Sequence, residues 1–328
     1  MTISVGVLTY NQEAYIAETL DGILSQDTDD AVEIIICDDC SSDKTVSIIK
    51  EYQRRYNNIK LYETEINLGL IRNFKRLCDH LDGDFVAICA GDDYWHDKHK
   101  LRKQADFLKQ ELDYALVYTD FDYVDEQSKI LMQSQNKRFS LHTPSGFILD
   151  DILEGKCLIL PSTVMYRGIP FREARIILAD CVTHNLVIED IPLYTMLASK
   201  WKFKFLPDST TSYRIVQKSL SRPGSFEKKI KFYEGILRTF FFLKEKGLIQ
   251  DTALQYQTIN CYRNSLKASG IFQRAVTGEE YYKKLKESGK NGRKDLLFYL
   301  ASQYKPFHAL FMLILRLRLG KQFKNYYS

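Results

Sequence analysis

The sequence predicts an α/β fold: a doubly wound, mostly parallel sheet with helices on both faces, followed by a C-terminal helical extension. Three observations predict it. Short apolar runs rich in β-branched residues alternate with segments of helical periodicity through the first 125 residues, the pattern of repeated βαβ units with right-handed crossovers. Two of those runs stop abruptly at adjacent carboxylates, Asp38-Asp39 and Asp92-Asp93, as buried strands do when they deliver charge to one edge of a sheet. Past Pro223 the chain turns helical and basic.

Residues 3–9 form the first strand, and residues 13–25 carry Ile16, Leu20, Ile23 and Leu24 at helical spacing. A continuous apolar strand over 32–37 leads into a helix over 43–56, with Asp43 shaping its start. A short strand at 59–63, a helix at 70–81 and the strand 85–89 follow, and that strand runs into the acids. A helix over 98–111 and a strand over 115–118 complete the alternation. From about residue 125 the rhythm gives way to polar loops, an apolar run at 158–166, a helix near 191–200 and a strand at 202–206. Helices are expected over 226–246, 252–269, 279–288 and 296–319. The domain division that follows is 1–222, with halves 1–125 and 126–222, and then 223–328.

Composition excludes several classes. With 45% apolar residues in 328, the chain fills a large core and is neither disordered nor collagen-like. A net charge of +4 is too mild to argue for nucleic acid. Seven scattered cysteines, with Cys37 and Cys40 as a lone C-x-x-C, give neither a zinc site nor a disulfide framework. The first residues lack a basic segment followed by an apolar one, so a cytoplasmic location is expected.

The strand ends carry the chemistry. Thr9, Tyr10 and Asn11, with Glu13 just beyond, end the first strand on the same edge as Asp39 and the Asp92–Asp93 pair. A carboxylate there accepts the imide N–H of uracil or thymine, while hydroxyls and an aromatic ring hold base and ribose. Two adjacent acids repel unless a divalent or other cation sits beside them. Neither G-x-G-x-x-G after the first strand nor a P-loop occurs, so diphosphate charge is met another way, and a metal at the acids would meet it.

Thr9-Tyr10-Asn11, the Asp38-Asp39 strand end, Asn67-Leu-Gly-Leu-Ile-Arg-Asn73 and Gly91-Asp-Asp-Tyr-Trp95 resemble family 2 glycosyltransferases of the GT-A fold. The likeness continues through Lys100-Leu-Arg-Lys-Gln-Ala-Asp-Phe-Leu108, Leu160-Pro-Ser-Thr-Val-Met-Tyr-Arg167 and Glu189-Asp190, covering roughly residues 1–222. It implies inverting transfer of a sugar from a nucleotide diphosphate donor, with Mn²⁺ or Mg²⁺, of the kind that builds bacterial surface polysaccharides. Carried over by position, Asp39 contacts the base, Asp92 ligates the metal, and Asp93 supports it or touches the donor sugar. Asp190 is the general base, with Glu189 as its rival, and Asn67 and Arg72 help hold the donor. Tyr94 and Trp95 line the acceptor side. Ala90 stands where the motif's first acid is usual, and Val216 where many relatives carry a His. Arg214 then offers a direct diphosphate contact in compensation.

Residues 307–319 are too short an apolar run for the ~20 residues of a bilayer crossing. With Lys305, Arg316, Arg318, Lys321 and Lys324 around them, they read as an interfacial amphipathic helix or as a helix packed on the protein or on a second subunit. The interfacial reading fits a lipid-linked saccharide acceptor at the inner face of the cell membrane. The competing functions are a sugar nucleotidyltransferase and a non-catalytic glycan-binding relative. The first wants a Gly-rich basic loop after strand one, which residues 9–13 do not provide. The second is kept open by Ala90.

Overall fold

The computed structural model describes residues 1–138, 142–216 and 224–319. They form two compact units, residues 1–215 and 216–328, while the boundary expected at 222 falls outside the described residues. In the first unit the strands are β1 (Thr2–Thr9), β2 (Ala31–Asp38), β3 (Ile59–Tyr62), β4 (Phe85–Ala90), β5 (Tyr94–Trp95), β6 (Tyr114–Val124), β7 (Ile130–Met132), β8 (Met165–Arg167) and β9 (Lys202–Arg214). Among the described residues they make one sheet in the order β3-β2-β1-β4-β8-β6-β9-β5, with β7 added to β6.

The α/β architecture is the expected one, with its parallel character concentrated in one half. Strands β1 to β4 are mutually parallel where they pair. β8 then runs antiparallel to both β4 and β6. β6 and β9 are parallel to each other, while β5 and β7 pair antiparallel. Since β8 reverses direction twice over, β6 and β9 end on the same edge as β4, and the carboxyl ends of all three converge there.

Apolar side chains alternate between the two faces as strand geometry requires. On one face Val5, Val7, Ile34, Ile36, Ala87 and Cys89 pack against α1 (Ile16–Leu24), α2 (Thr45–Arg55) and α4 (Lys100–Gln110). On the other lies α3 (Leu70–Asp79): a Cβ on Gly6 of β1 would meet Leu77 and Leu81 at 2.9–3.2 Å, so this helix crosses the sheet at van der Waals distance. The helix Asp190–Ala198 covers the β8–β9 region, with Tyr194 against Tyr166 and Phe203.

The second unit is helical, as expected. Helices Phe226–Glu245, Asp251–Phe272 and Ala275–Glu287 surround Leu266, Tyr281 and Leu285. Arg263 grips the buried Asp295 with Nε at 2.9 Å and a second nitrogen at 3.2 Å, and Asp295 in turn accepts the N–H of Gly292. The single helix expected over 296–319 is two, Arg293–Gln303 and Lys305–Leu319. The break falls at Tyr304, whose backbone is extended (φ −127°, ψ 126°), because Pro306 cannot continue an existing helix yet suits the first turn of a new one. Phe311 and Leu315 of the last helix are buried against Ala301, whereas Leu310, Leu313 and Leu317 are exposed. Lys321, Lys324 and the side chain of Arg318 lie outside the described residues. No helix among the described residues is long and apolar enough to cross a membrane.

Candidate active site

The loops after β1 and β2 are stapled to each other. Thr9 Oγ1 donates to Asp38 Oδ2 at 2.7 Å, and Ser41 N–H donates to Asp38 Oδ1 at 2.8 Å. Asn11, held at φ 51°, accepts from Ser42 N–H through Oδ1 at 2.8 Å. Glu13 accepts from Lys44 N–H at 2.9 Å, and Asp43 accepts from the N–H groups of both Glu13 and Thr45. Asp43 thus shapes the turn before α2, as expected. Thr9, Asn11 and Glu13 act on this edge by fixing its backbone, and the ring of Tyr10 stands half exposed beside them.

Asp39 closes the pocket on its far side. Its carboxylate accepts the N–H groups of Leu68 at 2.7 Å and Gly69 at 2.9 Å, while Asn67 Nδ2 donates to the Asp39 carbonyl at 3.1 Å. Asp39 is 4% exposed, and each of its carboxylate oxygens accepts one of these N–H groups. Gly69 has φ +80°, a left-handed conformation that lets the chain turn into α3 while both amides face Asp39. Arg72 is exposed in the first turn of α3, whereas Arg76 on the same helix reaches the Asp38 carbonyl at 3.4 Å.

Beyond β4, residues Ala90 to Asp93 form a tight turn in which Asp93 N–H donates to the Ala90 carbonyl at 3.1 Å. Asp93 is 3% exposed, and both its oxygens are taken: Oδ2 by the Ser162 hydroxyl at 2.6 Å, Oδ1 by the Arg214 N–H at 2.9 Å. Burial and the charge of Asp92 push its carboxyl up to about 8. Asp92 is half-buried, and desolvation raises its carboxyl too, opposed by the charge of Arg214. Both oxygens of Asp93 are thus engaged within the fold, and Asp92 is the more exposed acid of the pair.

Arg214 corrects an expectation. Instead of reaching a diphosphate, its side chain is 1% exposed and committed on all three nitrogens. Nε donates to the Asp92 carbonyl at 2.8 Å, one terminal nitrogen to Asp125 O and Ser128 Oγ, and the other to Glu18. The guanidinium lies 4.6 Å from the Tyr15 ring centroid and 5.5 Å from that of Tyr94. Trp95 is the second correction. It is 2% exposed, its indole N–H donates to the Ser162 carbonyl at 2.9 Å, and Lys100 Nζ sits 4.6 Å over its ring, so it is core and not an acceptor wall. Tyr94, half-buried against Arg214, remains near the cleft.

Glu189 and Asp190 start the helix Asp190–Ala198. That helix runs into β9 within a few residues, at the amino edge of the sheet where Lys202 pairs with Tyr114. Glu189 and Asp190 lie electrostatically close to Tyr166 of β8 and to Tyr194, and Glu189 to Cys78 of α3. Burial raises both acids, Asp190 to about 6 and Glu189, further lifted by the charge of Asp190, to about 8. Asp190 Oδ1 accepts its own neighbour's N–H, Ile191, at 2.8 Å, which favours the ionised form. Burial thus raises both acids, Glu189 further than Asp190.

No cluster of three or more His, Cys, Asp or Glu able to hold a metal occurs among the described residues. A single desolvated carboxylate fits a cation that arrives with substrate phosphates, the usual manner for Mg²⁺ and similar ions, and not a standing metal site. Ser162, Glu18 and Tyr15 were not singled out from the sequence. The signals for Ser162 are its place in the Leu160–Arg167 segment of the family resemblance and a polar Pro-Ser-Thr step inside an apolar run.

Residues 4–166 match the model of Glycosyl transferase family 2. An uncharacterized protein of Mycobacterium tuberculosis is 30% identical over 213 residues, which is 65% of this chain and 58% of that protein. The chain thus spans less than two thirds of that relative's length. The poly(ribitol-phosphate) beta-N-acetylglucosaminyltransferase TarS of Staphylococcus aureus is 34% identical over 112 residues, 34% of this chain and 19% of that one. The solved structure of TarS residues 1–349 has a TM-score of 0.53 at 20% identity, covering 98% of this chain and 92% of that one. A mannosyltransferase of Pyrobaculum calidifontis, in complex with GDP-Man and Mn²⁺, has a TM-score of 0.59 at 16% identity, covering 99% and 82%. These neighbours carry the GT-A type of α/β fold read from the sequence. With the family match and these relatives together, residues 4–166 of the chain are a domain of glycosyl transferase family 2.

Proposed function

We propose that the protein is an inverting glycosyltransferase that moves a sugar from a UDP- or dTDP-sugar to a hydroxyl of a saccharide acceptor during bacterial surface polysaccharide synthesis. The observation that carries this reading is the meeting, on one sheet edge, of Asp39, held by the Leu68 and Gly69 amides, and the Ala90–Asp93 turn that presents Asp92. Asp39 accepts the imide N–H of the base, and Asn67 steadies it. A divalent cation, Mn²⁺ or Mg²⁺, would be held by Asp92 together with the diphosphate and would offset the charge of the leaving group. Arg72, exposed at the start of α3, is the cation available to the donor from that side.

Asp190 takes the proton from the acceptor hydroxyl as it attacks the anomeric carbon opposite the leaving diphosphate. Glu189 lies beside it with its carboxyl raised by burial and by the charge of Asp190. The relatives support the class: TarS has been solved with UDP and with UDP-GlcNAc, and the archaeal enzyme with GDP-Man and Mn²⁺. A lipid-linked acceptor at the cytoplasmic face of the membrane agrees with the apolar exposed stripe Leu310, Leu313 and Leu317 next to Lys305 and Arg316.

Calorimetric titration with UDP-, dTDP- and GDP-sugars, with and without Mn²⁺, tests the reading in wild type, Asp39→Ala and Asp92→Ala. Uridine or thymidine donors bind, Asp39→Ala weakens them, and Asp92→Ala removes the metal's contribution. Tight GDP-sugar binding indifferent to Asp39→Ala overturns the base assignment.

A further inference from the structure

The turn that presents Asp92 is locked from outside. Ser162, 2% exposed, accepts the N–H of Ala90 through Oγ at 3.1 Å and donates the same hydroxyl to Asp93 at 2.6 Å, so one side chain holds both ends of the turn. Ser162 cannot drift, because its own carbonyl accepts Trp95 Nε1 at 2.9 Å and Thr211 Oγ1 at 3.1 Å. The next carbonyl, that of Thr163, accepts Gln104 Nε2 at 2.9 Å and Lys100 Nζ at 3.3 Å. A chain of buried contacts thus runs from the framework through Ser162 to Asp93, and from Asp93 to the backbone of Asp92. The first acid of the motif is Ala90 here, and the N–H of that residue is what Ser162 grips.

We infer that Ser162 is a positioning residue of the donor site: acting through Asp93, it fixes the turn from which Asp92 reaches the diphosphate and its cation. The inference rests on the glycosyltransferase reading above. It assigns Asp93 no contact with donor or metal, and makes Ser162 and Asp93 a single functional unit.

A double-mutant cycle on Ser162→Ala and Asp93→Ala tests it, read by Mn²⁺ binding in the presence of UDP (calorimetry and electron paramagnetic resonance) and by UDP binding without metal. Ser162→Ala weakens Mn²⁺ by about tenfold or more, the scale of loss when a ligand's supporting partner is removed, while metal-free UDP affinity holds within about twofold. The double variant is no weaker than Asp93→Ala alone, because the serine has lost the group it acts through. Ser162→Cys, with similar volume and a weaker donor, falls between wild type and Ser162→Ala and guards against a misfolded alanine variant. Additive losses, or equal losses with and without metal, show a general loosening and overturn the inference. If the wild type binds no UDP under either condition, the glycosyltransferase reading itself fails, and this inference with it.

Discussion

The backbone N–H of Arg214 donates to the carboxylate of Asp93 at 2.9 Å, across 121 residues of chain. The same arginine spends its side chain on the Asp92 carbonyl, on the 125–128 loop and on Glu18, which is 40% exposed. It is a clamp on the turn, and that assignment separates it from a substrate contact.

Arg214→Ala should therefore destabilise the nucleotide-free protein. Removing a buried guanidinium that pairs with one carboxylate and several backbone acceptors costs about 2–4 kcal/mol, with part of the penalty relieved by water at Glu18. For a unit of this size that is on the order of 5–10 °C in Tm. Arg214→Lys should recover little, since an ammonium cannot span three separate acceptors. An unchanged Tm with weakened donor binding would instead restore the direct diphosphate contact.

The raised carboxyls of Asp190 and Glu189 predict a pH profile. A base whose carboxyl is raised to about 6 is protonated below that value, so kcat/KM rises with pH through about 6. Glu189→Gln should leave that acidic limb in place, because the neighbour it removes is already uncharged there. Asp190→Asn should abolish the limb and cost about 10²-fold or more. A limb near 8 that vanishes in Glu189→Gln would exchange the two roles.

Gly91 is irreplaceable for steric reasons. A Cβ there would lie 2.1 Å from Gln12 Oε1 and 2.8 Å from the Leu8 carbonyl. Gly91→Ala is expected to lose about 1–3 kcal/mol in urea unfolding. Adding Gln12→Ala should return only part of it, since the Leu8 carbonyl belongs to β1 and cannot swing aside. Full recovery would mean that the backbone contact is harmless.

Lys100 predicts a pH dependence of stability. Burial lowers its ammonium from 10.5 to about 7, so above pH 7 the folded protein has released a proton that the unfolded chain still holds. Stability attributable to this residue therefore rises with pH between about 7 and 10.5. Between pH 7 and pH 9 the wild type should gain on the order of 2 kcal/mol relative to Lys100→Met, measured by chemical unfolding at both pH values. Parallel slopes would place a charged lysine in the folded core.

The nucleotide-binding half was legible because its strands are continuous apolar runs: the strand expected at 85–89 is Phe85–Ala90, and the helix at 70–81 is Leu70–Asp79. The second half hid its strands behind polar residues. β9, expected to stop at residue 206, continues to Arg214 through Pro207 and Asp208, because Thr210 and Thr211 satisfy their hydroxyls internally against Thr119 and Ser162. β6 extends past its expected end at 118 since Asp120 and Asp122 are buried yet accept from Asn136 N–H and Ser134 N–H. At the site, the acids Asp39, Asp92 and Asp190 were visible as strand and helix termini. The fate of Trp95 was not, because it depends on a carbonyl 67 residues away.

The reach of the Arg214–Asp93 contact also orders events during synthesis. β1 to β4 are complete by residue 90, so the Asp39 contacts to Leu68 and Gly69 can form while later segments are still being made. Thr19 already holds the turn bearing Asp92, its hydroxyl donating to the Gly91 carbonyl at 3.0 Å and the Asp93 carbonyl at 2.7 Å, but the Asp93 carboxylate gains its partners only when residues 162 and 214 emerge. Both oxygens of Asp93 are thus held only once the last strand of the sheet has docked.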